Sequence, residues 1–145
     1  MPTVSSTSPA GTPREIVTKM MDAWRHADLQ GIAALLHDDC VWEVMTGGSE
    51  LMPDGARYVG KKKIADELLP AVPKFYYMET LQIHERATYV DGPMAIVEFQ
   101  TWGKARTGRI NDGACYCWVF KIEDGKVVEL REYIDSLKLQ AVFAP

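Results

Sequence analysis

The stretch Trp118-Val119-Phe120-Lys121-Ile122-Glu123-Asp124-Gly125-Lys126-Val127-Val128-Glu129-Leu130-Arg131-Glu132-Tyr133-Ile134-Asp135 decides the fold. Both of its ends are rich in β-branched and aromatic side chains, and Glu123-Asp124-Gly125-Lys126 between them has the composition of a hairpin connection. Two strands are therefore predicted, Ala114 to Ile122 and Val127 to Asp135. The pattern recurs upstream, where Thr80 to Val90 and Met94 to Lys104 are joined by Asp91-Gly92-Pro93. In the final strand, alternation puts Glu129, Arg131, Tyr133 and Asp135 on one face. Val128, Leu130 and Ile134 fall on the other face, which Glu132 interrupts.

The front of the chain is helical. Thr12 is placed to cap a helix that starts at Pro13, and Ile16, Val17, Met20, Met21, Trp24 and Ala27 recur at spacings of three and four along it. Asp28 caps a second, shorter helix with Ile32, Ala33, Leu35 and Leu36 on its apolar side, ending at His37-Asp38-Asp39. Cys40 to Met45 alternates as a strand does. Thr46 to Tyr58, with Gly47, Gly48, Gly55 and Pro53, reads as a long loop. A third helix follows Gly60, with Ile64, Leu68 and Leu69 apolar, and Pro70 and Pro73 bend or end it. Helices at the front and strands at the back predict an α+β domain over 13–145, after a disordered tail at 1–12.

Composition narrows the function classes. Hydrophobic residues are 47% and charged residues 25%, which excludes a disordered or fibrous chain. Lys and Arg number 16 against 20 Asp and Glu, so there is no basic footprint for nucleic acid. No apolar run is long enough to span a membrane, and the N-terminal stretch lacks the charge and apolar core of a secretory signal. Three cysteines, Cys40, Cys115 and Cys117, with the last two side by side on one strand face, point to free, mostly buried thiols in a reducing cytoplasm.

The element order, the Asp38-Asp39-Cys40-Val41-Trp42 segment and the final Gly125-Lys126... Arg131-Glu132-Tyr133-Ile134-Asp135 pattern resemble the SnoaL-like branch of the NTF2-like superfamily over roughly Thr12 to Phe143. The resemblance implies a cone-shaped, curved antiparallel sheet packed against three helices, a deep apolar pocket and frequent dimerisation through the sheet. Polyketide cyclases, ketosteroid isomerases, limonene epoxide hydrolases and noncatalytic binders share that fold. Matched residue by residue to the epoxide hydrolases, Asp135 stands at the final aspartate of their Asp-Arg-Asp set. Phe99 and Thr101 occupy its other two positions, and Trp42 and Val44 occupy those of the water-holding Tyr and Asn. The ketosteroid isomerase base also falls on Val44. Neither mechanism carries over whole.

Asp135 is therefore the candidate acid/base, since burial in a pocket would raise its pKa toward neutrality, with Tyr133 or Tyr116 holding a substrate oxygen. The alternative is a solvent-facing strand end whose Arg131 pairs with a neighbour. Met21, Trp24, Trp42, Val44, Phe99, Thr101 and Trp118 are candidate pocket residues, and for each the alternative is plain core. His84, His26, His37 and Lys61-Lys62-Lys63 read as surface or helix-end residues. Neither metal-ligand spacing nor a glycine-rich nucleotide loop is present, so no cofactor is expected.

Two functions stay open. One is a cofactor-free isomerase, cyclase, lyase or hydrolase acting on a small apolar or aromatic molecule; the other is a noncatalytic binder of such a molecule. A homodimer is expected through the sheet, with Val128, Leu130 and Ile134 as its apolar patch if they point outward. The long loop, with Leu51 and Met52, is expected to form the rim or lid of the pocket, or else a plain surface excursion.

Overall fold

The computed structural model describes residues 11–45 and 56–145. Two helices, α1 (Pro13–Arg25) and α2 (Leu29–Ala34), lead into β1 (Leu36–Met45). Then come β2 (Ala56–Val59), short helices α3 (Lys61–Lys63) and α4 (Val72–Phe75), strands β3 (Gln82–Asp91), β4 (Met94–Lys104), β5 (Ile110–Glu123) and β6 (Lys126–Ile134), and finally helix α5 (Ser136–Phe143). The strands form one curved sheet in the order β2-β1-β6-β5-β4-β3. Every pairing is antiparallel except β1 with β6, so the sheet is mixed at that one seam.

Local chemistry explains the junctions. The Thr12 hydroxyl accepts from Glu15 N at 3.3 Å at the head of α1, and the Asp28 carboxylate accepts from Gly31 N at 2.8 Å at the head of α2. Asp124 (φ 49°) and Gly125 (φ 71°) form a two-residue turn with both residues left-handed, the twist-matched way to join β5 to β6. Between α3 and α4 the helix is irregular, passing through a π segment (Ile64–Leu68) and a 3₁₀ turn (Leu69–Ala71). Pro70 and Pro73 lack the N–H groups that a regular helix would use there.

α1 packs on β3, β4 and β5 and presses Ile16, Val17, Met20 and Met21 into the core with Trp42, Trp118, Phe120 and Leu130. Burying a side chain of this kind contributes about 1.5–3 kcal/mol. Among the described residues no helix is long and apolar enough to cross a membrane.

Several expectations are corrected. Ala56 to Tyr58, read as the end of the long loop, belong with Val59 to the edge strand β2, paired to β1 between Val41 and Val44. The remainder of that loop, including Gly47, Gly48, Leu51, Met52, Pro53 and Gly55, lies outside the described residues, as does the expected tail before Gly11. The His37-Asp38-Asp39 break is already strand, because β1 starts at Leu36. Asp135 does not continue β6 but stands at the N-cap of α5, a helix the sequence reading did not include. Leu130 is fully buried and Ile134 lines an internal cavity, so neither contributes to an outward patch.

Candidate active site

The concave side of the sheet and the helices over it enclose a cavity of about 140 Å³. Its walls are almost wholly apolar. Trp24 comes from α1, Trp42 and Val44 from β1, Phe99 from β4 and Trp118 from β5, while Leu139 and Phe143 of α5 close another side. The aromatic groups lock one another in place: Trp118 meets Trp24 and Trp42 edge-to-face with centroids 5.5 Å apart, and Phe99 stacks on Tyr116 at 4.9 Å. Trp24 Nε1 is buried with no hydrogen-bond partner among the described residues.

Glu132 is the one lining residue, among those described, with a formal charge. It lies directly opposite Trp118 in the β5–β6 ladder and opposite Val44 in the β1–β6 ladder. Both of its oxygens are held: Trp118 Nε1 donates to Oε2 at 2.7 Å and Trp42 Nε1 donates to Oε1 at 3.3 Å. Burial in apolar surroundings is the dominant influence and raises its pKa from 4.5 to about 7, against the two indole N–H groups, which favour the charged form. A carboxyl so poised exchanges a proton readily at neutral pH.

A group of hydroxyls marks another part of the cavity. Tyr76, Thr101 and Tyr116 all line it. Asn111, fully buried behind them, donates from Nδ2 to Tyr76 Oη and to Thr101 Oγ1, each at 2.8 Å, while its Oδ1 accepts from Ala114 N at 3.1 Å. Burial pushes the phenol of Tyr116 well up and that of Tyr76 up, so both are neutral donors at physiological pH. Tyr116 also feels the charge of Glu132. In register, Glu132 faces Trp118, Tyr116 faces Phe99, and Thr101 faces Ala114, so Glu132, Tyr116 and Thr101 form a diagonal row across β6, β5 and β4.

A family model for the SnoaL-like domain matches residues 17–130. The chain belongs to the SnoaL-like family. Solved structures agree on an NTF2-like fold. An NTF2-like protein of unknown function from Burkholderia pseudomallei is similar at a TM-score of 0.79 and 18% identity, covering 92% of this chain and 98% of that one. A putative isomerase from Bacillus subtilis is similar at 0.75 and 26% identity, covering 90% and 91%. A LEH-like epoxide hydrolase from M. tuberculosis is similar at 0.69 and 18% identity, covering 90% and 88%. A comparison with curated proteins finds no match.

Within this SnoaL-like domain the residues singled out from sequence divide into two groups. Trp24, Trp42, Val44, Phe99, Thr101, Tyr116 and Trp118 come together around the cavity. Met21 is fully buried in the core and does not line it. Asp135 and Tyr133 do not line it but an adjoining depression, with Cys115, Cys117, Glu98 and Arg86, which has Phe99, Tyr116 and Ile134 in common with the cavity. The Asp135 carboxylate there accepts from Cys115 N at 3.5 Å, and Tyr133 is 44% exposed. Arg131 pairs with Glu129 at 2.8 Å. The cysteines are free, Cys40 buried but Cys115 exposed. Among the described residues no three His, Cys, Asp or Glu side chains converge to hold a metal ion.

Glu132 and Asn111 are the polar groups of this site that sequence reasoning missed. A carboxylate interrupting the apolar face of the last strand was the available signal for Glu132. Asn111 gave none, since it is turned inward by a bulge.

Proposed function

We propose that this SnoaL-like protein is a cofactor-free enzyme that moves a proton on a small, uncharged, apolar molecule. Glu132 takes and returns the proton, and Tyr116 donates a hydrogen bond to an oxygen of the substrate. The observation that carries this is the single carboxyl in an apolar cavity, clamped by two indoles and poised near pH 7. Isomerases, cyclases and epoxide hydrolases on related folds use an acid/base step of this general kind, in keeping with the expectation from sequence but with Glu132 in the place given to Asp135. The test is deuterium incorporation into a panel of small ketones in D2O, followed by NMR. Exchange is expected with the wild type and at least a hundredfold less with Glu132→Gln, whose ligand binding should persist. Equal exchange by both proteins excludes Glu132 as the base.

The second reading, a noncatalytic binder, is favoured by the absence of any second charged group among the described lining residues. It predicts tight ligand binding by wild type and by Glu132→Gln with no exchange by either.

We also infer a homodimer through the outer face of the sheet, where Ile96 (36% exposed) and Tyr133 (44% exposed) stand in place of the residues first expected there. Light scattering on the wild type and on Ile96→Lys tests it, with a monomeric wild type at micromolar concentration counting against the dimer.

A further inference from the structure

The hydroxyl group of the cavity has a fixed donor direction, and it originates behind the wall. Asn111 is fully buried, and its amide is spoken for on every side: one acceptor contact from Ala114 N at 3.1 Å, and two donor contacts to Tyr76 Oη and Thr101 Oγ1 at 2.8 Å. The backbone N–H of Ala114 can only donate, so it determines which end of the amide carries oxygen. Reversing the amide would set two donors against each other in a buried site, where an unmade hydrogen bond is costly.

The backbone explains why an asparagine stands there. The β4–β5 register runs from Thr101 opposite Ala114 to Trp102 opposite Asp112, leaving Gly113 as an extra residue. Gly113 has φ +79°, and a Cβ on it would lie 3.3 Å from the Trp102 ring. This bulge breaks the alternation, so that Asn111 and Ala114 both face inward.

We propose that Asn111 is a positioning residue that makes the hydroxyl end of the cavity an oxygen-acceptor site. Tyr76 Oη and Thr101 Oγ1 each already receive an amide proton. Their own protons are thereby left for other acceptors, namely the neighbouring Tyr116 hydroxyl and a ligand oxygen. The site accordingly selects compact, uncharged molecules that present a carbonyl or other accepting oxygen at this end, and disfavours those that present a donor or only hydrocarbon there. Within the hydroxyl group Tyr116 stands nearest Glu132, one diagonal step of the sheet or roughly 7–8 Å away, so a small ligand whose oxygen meets Tyr116 also lies beside the carboxyl. The inference rests on the cavity being the ligand site, as proposed above.

Acetophenone and α-methylstyrene test it, because they differ only in an accepting oxygen against a CH2 group. Tryptophan fluorescence gives their affinities, and the infrared carbonyl stretch of bound acetophenone reports how strongly that oxygen is hydrogen-bonded. The wild type is expected to prefer acetophenone by about five- to tenfold and to lower its carbonyl frequency relative to an apolar solvent. In Asn111→Asp, which keeps the shape, the facing oxygen accepts instead of donating and draws the two hydroxyl protons toward itself. The preference should fall to about twofold or less and the frequency should return toward the solvent value, with α-methylstyrene still bound.

An unchanged preference and frequency in Asn111→Asp would overturn the proposal. So would a wild type that binds both molecules equally, even though the cavity itself would then stand as the ligand site. Binding of neither molecule overturns the cavity reading and this inference together. If Asn111→Asp does not fold, Tyr76→Phe removes one of the two donors directly and must weaken the preference.

Discussion

The indole N–H of Trp118 donates to Glu132 Oε2 at 2.7 Å from the position directly opposite it on the neighbouring strand. Trp42, from the strand on the other side, donates to the second oxygen at 3.3 Å. The carboxyl is thus gripped from both flanks while burial pushes it toward the neutral form. The outcome of that opposition is a pKa of about 7.

Removing one donor should tip the balance in a known direction. Trp118→Phe keeps an aromatic ring but loses the N–H that favours the carboxylate, so the pKa of Glu132 rises further, by roughly one. Carbon-13 NMR titration of the labelled carboxyl reads this directly. A value that stays put or falls would mean that the bond does not stabilise the charged form.

Stability should depend on pH through the same group. In the unfolded chain Glu132 ionises near 4.5, whereas in the folded chain it holds its proton to about 7. Between those values the folded state binds more protons, so stability falls as pH rises through this window and levels off above it. The full loss is on the order of 3 kcal/mol. Tyr76 and Tyr116, the other titratable groups lining the cavity, are pushed upward and stay neutral throughout. Urea denaturation at pH 5, 6 and 8 should show the decline in the wild type and a much flatter profile in Glu132→Gln. Parallel profiles for the two proteins would rule out Glu132 as its source.

How far the site could be read from the sequence turns on a few positions. The hairpins of β3–β4 and β5–β6 were legible because their turn residues and alternation agree, and the two N-terminal helices were legible from their caps and apolar spacing. The aromatic wall followed from composition and resemblance together. Alternation separated Glu132 from Arg131 and Tyr133 on the last strand and carried that strand one residue too far, to Asp135, but it could not say which face looks inward. Leu130 and Ile134 answer that, and their fully apolar character was the better guide than the polar stripe beside them. β2 was lost in a glycine-rich stretch, and α5 was lost because Asp135 was read as the end of a strand rather than the start of a helix. Asn111 depends on a bulge that shifts the register between β4 and β5, which period-two counting cannot anticipate.

Trp24 offers a separate test of the cavity. Its Nε1 is buried without a partner among the described residues, a condition that costs free energy in the ligand-free protein. Trp24→Phe deletes that donor while keeping most of the ring, which packs on Trp118 at 5.5 Å. Stability should stay within about 1 kcal/mol of wild type, since the smaller ring sacrifices some packing and the lost unsatisfied group compensates. Chemical denaturation measures this, and a loss above about 3 kcal/mol would mean that the indole N–H has a partner.

Asp135 provides the sharpest contrast with Glu132, because the two carboxylates are three residues apart and only one of them lines the cavity. At the head of α5 a negative charge is favourable to the helix, and Asp135 Oδ2 lies 3.5 Å from Cys115 N. Asp135→Asn keeps a side-chain oxygen for that contact and removes only the charge, so the expected cost is up to about 1 kcal/mol of stability. Proton exchange on the ketone panel should remain within about threefold of wild type, whereas Glu132→Gln loses at least about a hundredfold. Measuring both variants under identical conditions assigns the base. A large loss in Asp135→Asn with normal exchange in Glu132→Gln would return the chemistry to the adjoining depression, where Tyr133 and Cys117 are its neighbours.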